Sequence, residues 1–165
     1  MPDKLLVFKT DTNRLEYEDK PSSSPSGGSG HITILPLSYD SVGQGTWTIY
    51  ISSGSAFGHV IYNTSDTDGD SLLYKVYLDA GTYSFQVLTS ANTQLGIMSI
   101  DIDETQVASF DCYNTPALVN VIKREDGIVI SEFGLKTLKV YIDGKNSSAS
   151  HYYSNIQYMA LWKTA

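Results

Sequence analysis

Residues 71–102 alternate apolar and polar positions three times over, with the period of two that marks a half-buried strand. Leu72, Tyr74, Val76 and Leu78 share one side of the first run, and Lys75 and Asp79 the other. Ala80-Gly81 supplies a reversal, because glycine takes the positive φ that a tight turn often needs. Tyr83, Phe85 and Val87 then alternate with Thr82, Ser84 and Gln86. After Ala91-Asn92, Met98, Ile100 and Ile102 alternate with Ser99, Asp101 and Asp103, which predicts an exposed face for Asp101 and Asp103. Three consecutive strands make this stretch the core of a sheet domain.

The same rhythm runs through the rest of the chain. Residues 4–9 (KLLVFK) and 14–19 (RLEYED) flank Thr10-Asp11-Thr12-Asn13 and predict a hairpin. Two isolated strands are marginal in water, so this unit needs a further surface to pair with. Residues 21–30 (PSSSPSGGSG) have no apolar side chain to bury and predict a flexible linker, able to span about 3.3 Å per residue when stretched. The organisation expected is an anchoring arm at 1–20, a linker at 21–30 and a body at 31–165.

Within the body, residues 31–37 predict an opening strand, with Pro36 pointing to a sheet edge. Trp47, Ile49 and Ile51 share one face of a strand at 46–52, and 59–63 is another short strand. Ala108, Phe110 and Cys112 alternate with Val107, Ser109 and Asp111. Residues 119–123 and 127–131 predict two strands joined by a hairpin turn at Arg124-Glu125-Asp126-Gly127. Leu138, Val140 and Ile142 face inward from 135–143, and the closing run 155–163 is apolar on both sides, as a central strand is. No segment carries an apolar stripe of period 3.6. The fold class predicted is all-β, an antiparallel jelly-roll β-sandwich with a short N-terminal β-hairpin arm.

Composition narrows the function. The 165 residues suit one domain with a small appendage, and 41% hydrophobic residues suffice for one core without staples. A net charge of −7 argues against nucleic acid and against anionic membrane surfaces as partners. Cys112 is the single cysteine, so no intrachain disulfide forms. The apolar run at residues 5–8 is short for a signal peptide, which leads to an expectation of synthesis in the cytoplasm.

Candidate chemistry is sparse. His31, His59 and His151 lie in separate segments with no evident partner, and Cys112 sits on an alternating strand as a small hydrophobe. No nucleophile elbow, phosphate loop or paired-histidine zinc motif is present. Asp66, Asp68 and Asp70, spaced one apart with Gly69 for the bend, could wrap a calcium ion; a solvated turn is the alternative. Asp101, Asp103 and Asp111 are the carboxylates an acid/base pair for glycoside cleavage would draw on, but the alternation makes a plain solvent face the better reading. Twelve tyrosines are more suggestive, because the C–H side of a pyranose packs on a flat apolar ring. Tyr113, Tyr152 and Tyr153 lie at turns or loops and are the candidate glycan contacts; sandwich-end capping or a subunit contact is the alternative.

A recognisable order of motifs runs through residues 46–163: Leu78-x-Ala80-Gly81-x-Tyr83, Ile100-x-Ile102-Asp103, Gly134-Leu135-x-x-Leu138 and Gly144-Lys145-Asn146-x-Ser148 before a last apolar strand. It is similar to the β-sandwich carbohydrate-binding modules of the family-6 kind. It also resembles the jelly-roll domains of tailed-bacteriophage virion proteins, such as head decoration proteins, head fibres and tail fibres. Asp103-Glu104 stands where sugar-binding relatives usually have Asp-Gly, and no paired aromatics stand out at matching loop positions. The N-terminal run LLVFKTDTNRLEYEDKP looks like the hairpin-and-linker starts of phage structural proteins. That resemblance implies a non-enzymatic virion protein made in the host cytoplasm, a homo-oligomer taken as a trimer. Its arm would dock on a capsid or tail protein through Leu5, Val7, Phe8, Leu15 and Tyr17. The alternative is a carbohydrate-binding module that recognises a surface glycan. Neither requires a cofactor beyond the possible calcium.

Overall fold

The computed structural model describes residues 30–165 in full and, before them, the backbone of two strands, β1 (Lys4–Lys9) and β2 (Arg14–Asp19). β1 and β2 pair antiparallel, with Leu6 opposite Tyr17 and Phe8 opposite Leu15. Directly opposed residues share a face of the ladder, so this register gathers four apolar residues on one side. The turn at 10–13 and the linker at 21–29 lie outside the described residues, as do the side chains of Leu5, Val7, Phe8, Leu15 and Tyr17.

The body is a rolled hairpin. β3 (His31–Ile34) pairs with the last strand, β14 (Tyr158–Lys163); β7 (Ser71–Leu78) pairs with β12 (Gly134–Ile142); β8 (Gly81–Ala91) pairs with β11 (Leu118–Ile130); and β9 (Ile97–Ile102) pairs with β10 (Thr105–Asp111). This nesting of antiparallel pairs is a jelly roll. It yields a five-stranded sheet in the order β10-β9-β12-β7-β4, with β4 at Ser41–Gln44, and a four-stranded sheet in the order β11-β8-β14-β3. A third, smaller sheet joins β13 (Asn155–Ile156), β6 (His59–Asn63) and β5 (Trp47–Ile51). Among the described residues there is no α-helix, only a 3-10 turn at Pro36–Ser38.

The alternating residues fill the space between the two large sheets. Leu72, Tyr74 and Leu78 of β7, Leu138 and Val140 of β12, and Met98 and Ile100 of β9 join Phe85 and Val87 of β8 and Met159 and Leu161 of β14 in one buried cluster. Each such side chain contributes roughly 1.5–3 kcal/mol when fully buried. Cys112 belongs to the same cluster; burial pushes its thiol up to about 11, so it is a packing residue and not a nucleophile.

Three expectations are corrected, and the facing of Ile49 and Ile51, which the alternation left open, is added to them. First, Leu118–Ile130 form one strand where two are expected at 119–123 and 127–131. The long β8 offers continuous pairing, and Arg124–Gly127 makes a bulge where the register shifts between Glu125 and Ile128, with Gly127 at φ 78°. Second, β3 ends at Ile34, because Pro36 begins the 3-10 turn and cannot extend the ladder. Third, Ile49 and Ile51 are 55% and 83% exposed, because β5 is the outer strand of the small sheet and no layer covers it. Fourth, Asp101 is buried although its face is the outer one. Gln106 and Lys139 stand directly opposite it, so Asp101 sits between two flanking strands and not at a sheet edge.

Candidate functional site

The site is assembled at the rim of the small sheet by a buried asparagine. β6 ends at Asn63, whose Nδ2 donates to Asp70 Oδ2 (2.9 Å) and to the Tyr152 carbonyl (3.0 Å), while its Oδ1 accepts from the Ser154 amide (2.6 Å). Asp70, also buried, accepts from Ser65 Oγ (2.7 Å) and the Thr67 amide (3.2 Å). Its other oxygen lies so close to Gly45, at φ 82°, that a Cβ there would clash with it. Loop 64–70 is thereby bolted to the segment that carries His151, Tyr152 and Tyr153.

A second contact fixes the same segment from its exposed side. Asp66 Oδ2 lies 2.6 Å from His151 Nδ1, and Asp66 Oδ1 accepts from the Tyr152 amide at 2.6 Å. Desolvation pulls the Asp66 carboxyl up, but the hydrogen bonds from His151 and Tyr152 and the nearby Lys145 charge outweigh it and hold it below the ordinary value of 3.8. The His151 ring stacks on Tyr153 (4.6 Å between centroids, 8° between planes), and Tyr153 tilts against Tyr62 at 5.1 Å. Burial, followed by the neighbouring Tyr153, raises the Tyr62 phenol well above its ordinary range, so it is a neutral hydroxyl at any physiological pH.

The Tyr62 and Tyr153 rings border a cleft of about 370 Å³. Tyr50, Tyr62 and Tyr153 supply aromatic surface, and Tyr50 is 60% exposed. Ser52, Ser90, Asn92, Gln94 and Asn155 supply hydroxyls and amides, and Val60 and Leu95 complete the lining. Asn155 is held in turn, since its Oδ1 accepts from the Ser90 amide (3.0 Å) and its carbonyl from Thr89 Oγ1 (2.6 Å). No lining residue carries a charge. Amides present a donor and an acceptor side by side, and flat rings accept an apolar face, which together suit a polyhydroxylated ring.

Of the three tyrosines expected to contact a glycan, Tyr153 lines this cleft. Tyr152 follows the same clamp but sits beneath Lys145, whose Nζ lies 4.6 Å from its ring centre. Tyr113 is half-buried just beyond β10, outside the lining. Tyr50, Tyr62, Asn92 and Asn155 were not singled out by the sequence; only the Asn92 turn gave any signal. The three aspartates of loop 64–70 do not converge. Asp66 turns to His151, Asp70 turns inward to Asn63, and Asp68 Oδ1 accepts from the Gly144 amide at 2.7 Å. Among the described residues no three His, Cys, Asp or Glu side chains gather in a way that could hold a metal ion.

A larger trough, about 870 Å³, crosses the outer face of the five-stranded sheet and includes Asp101, Asp103, Glu104 and Lys139. It has no aromatic lining, and its Asp103 has structural partners, accepting from the Thr137 amide (2.8 Å) and pairing with Lys136 (3.1 Å). Asp111, the third carboxylate considered for acid/base chemistry, accepts from Asn146 Nδ2 at 2.7 Å. The aromatic cleft is the better-built site.

No protein-family model and no curated protein sequence matches the chain. Solved structures do, and their likeness is one of fold. A Paenibacillus xanthan lyase superposes with a TM-score of 0.70 at 18% identity, over 91% of this chain and 15% of the lyase. The chain therefore spans a small part of that enzyme. The CBM36-1 domain of a multidomain xylanase from the hindgut metagenome of Trinervitermes trinervoides gives 0.64 at 13% identity, over 82% of this chain and 99% of the domain. A β-1,3-glucan-binding CBM6 from Bacillus halodurans gives 0.57 at 17% identity, over 81% and 96%. The body shares its β-sandwich fold with these structures.

Proposed function

We propose that this chain is a non-catalytic carbohydrate-binding module that holds a glycan in the cleft bordered by Tyr50, Tyr62 and Tyr153. The observation that carries this reading is the combination of three tyrosine rings with three amide side chains, Asn92, Gln94 and Asn155, around one uncharged cleft. The shared fold with modules described as binding sugars supports it; fold alone would not decide it. Tyr50 offers its ring to the sugar face, Tyr153 is positioned by the Asn63 clamp, and the amides bond to hydroxyls. Binding of this kind needs neither the calcium nor the acid/base carboxylates considered above.

Nothing in the described residues or these neighbours favours attachment to a phage particle. That reading, with its virion location and trimer, rests on the motif resemblance of residues 46–163 and on the N-terminal sequence. A glycan array followed by calorimetry tests the proposal. The wild-type chain should bind at least one oligosaccharide, and Tyr50→Ala should weaken it by about tenfold or more, the loss of one stacking surface. Because Tyr50 is mostly exposed, its removal should leave stability within about 0.5 kcal/mol. Unchanged affinity in Tyr50→Ala and Tyr153→Ala would remove the cleft as the site.

A further inference from the structure

The body carries a second concavity of opposite character. A groove of about 420 Å³ lies beside the end of β3, bordered by Leu35, Pro36, Leu37, Phe57 and Tyr158. Leu35 and Phe57 are 62% and 55% exposed, so apolar surface lies open there, and the Phe57 ring meets Tyr158 edge-on at 5.8 Å. Clustered exposed apolar groups of this kind mark a surface that something covers.

The chain itself holds a matching element. The β1–β2 register gathers Leu6, Phe8, Leu15 and Tyr17 on one face of a two-stranded ladder. Such a ladder is marginal in water unless that face is covered. The two surfaces are neighbours along the chain: residues 21–30 lead straight into β3, and the groove begins at Thr33. Ten residues reach about 33 Å at full extension, while Thr33 to Leu37 follow within a few residues of the linker's end. A short tether of this kind holds its ends together at an effective concentration in the millimolar range.

We infer that the β1–β2 arm docks on its own body, with its Leu6/Phe8/Leu15/Tyr17 face over the Leu35–Leu37–Phe57 groove. The arm gains the layer that two strands lack, and the body loses its exposed apolar patch. The groove and the tyrosine cleft are distinct, since their linings share no residue.

Amide hydrogen exchange on the full chain tests this. In the wild type, amides of β1 and β2 should exchange about tenfold or more slowly than an open chain. Phe57→Asp and, separately, Leu35→Asp should remove that protection while leaving the amides of β7 and β8 unchanged. Unprotected arm amides in the wild type would overturn the proposal, as would protection that survives both substitutions. The Leu6→Cys/Leu37→Cys double variant supplies a second readout, since the native Cys112 is buried. Oxidation should give an intrachain-bridged monomer; a bridged dimer in its place would overturn docking within one chain.

Discussion

β12 and β5 carry the same kind of alternation, yet they end in opposite environments. Leu138, Val140 and Ile142 of β12 are fully buried, whereas Ile49 and Ile51 of β5 lie open. The difference is one of neighbours, not of pattern. β12 is flanked by β7 and β9 and covered by the opposing sheet, while β5 has β6 on one side only. The two large sheets thus hold the molecule together, and the small sheet hangs its rings at the surface, where Tyr50 and Tyr62 border a cleft. The core lies between the two large sheets, while two of the three tyrosines that border the cleft stand on the small one.

The sharpest way to break this contrast is to truncate one residue on each side of it. Phe85 is fully buried in the core and stacks on Phe110 at 6.4 Å between centroids. Phe85→Ala should cost about 4 kcal/mol in a denaturant titration, from lost burial plus the cavity left behind. Ile51→Ala should stay within about 0.5 kcal/mol. Comparable losses in the two variants would mean that β5 is covered in solution, and the division of labour would fall.

Asn63 joins the two regions, so its loss should be felt in both. Asn63→Ala would leave the Ser154 amide and the Tyr152 carbonyl unpaired in a buried setting and take a donor from Asp70. We expect about 3 kcal/mol of destabilisation, since each stranded buried group costs about 1–3 kcal/mol. Glycan affinity should fall as well, because the clamp positions Tyr153. Destabilisation with intact affinity, measured by calorimetry below the unfolding transition, would show that Tyr153 does not need the clamp.

The legibility of the sequence follows the same divide. β7, β9 and β12 could be read because a period of two fixes which residues share a face, and both large sheets bury the apolar one. The same rule misplaced Asp101, because it is silent on how far flanking strands shield a residue on the outer face. It also left open which side of β5 meets solvent. The bulge at Arg124–Gly127 looked like a turn because both use a glycine in the left-handed region; only the length of β8 opposite it decides. The site was harder still. His151 and Asp66 are 85 positions apart, and Tyr50 and Tyr153 come together only once β13 pairs with β6. Of this cleft, Tyr153 alone stood out, for lying in a polar loop.

The smallest effect expected concerns that long-range contact, and pH isolates it. The Asp66 carboxyl is held below its ordinary value of 3.8 in the folded chain. The ionised form is therefore favoured by folding, so its contribution is fully present above about pH 4 and is lost as pH falls through the lower, folded value. Both partners are about one-third exposed, which limits the contribution to under about 1 kcal/mol after screening. Asp103 and Asp126 are depressed as well, by the Thr137 amide and by Ser84 and Arg124 respectively, so the wild-type chain should lose stability in acid through several carboxylates at once. Asp66→Asn should reduce, without abolishing, the fall in urea midpoint between pH 5 and pH 2. An unchanged fall would show that the bonds from His151 and Tyr152 do not favour the ionised carboxyl.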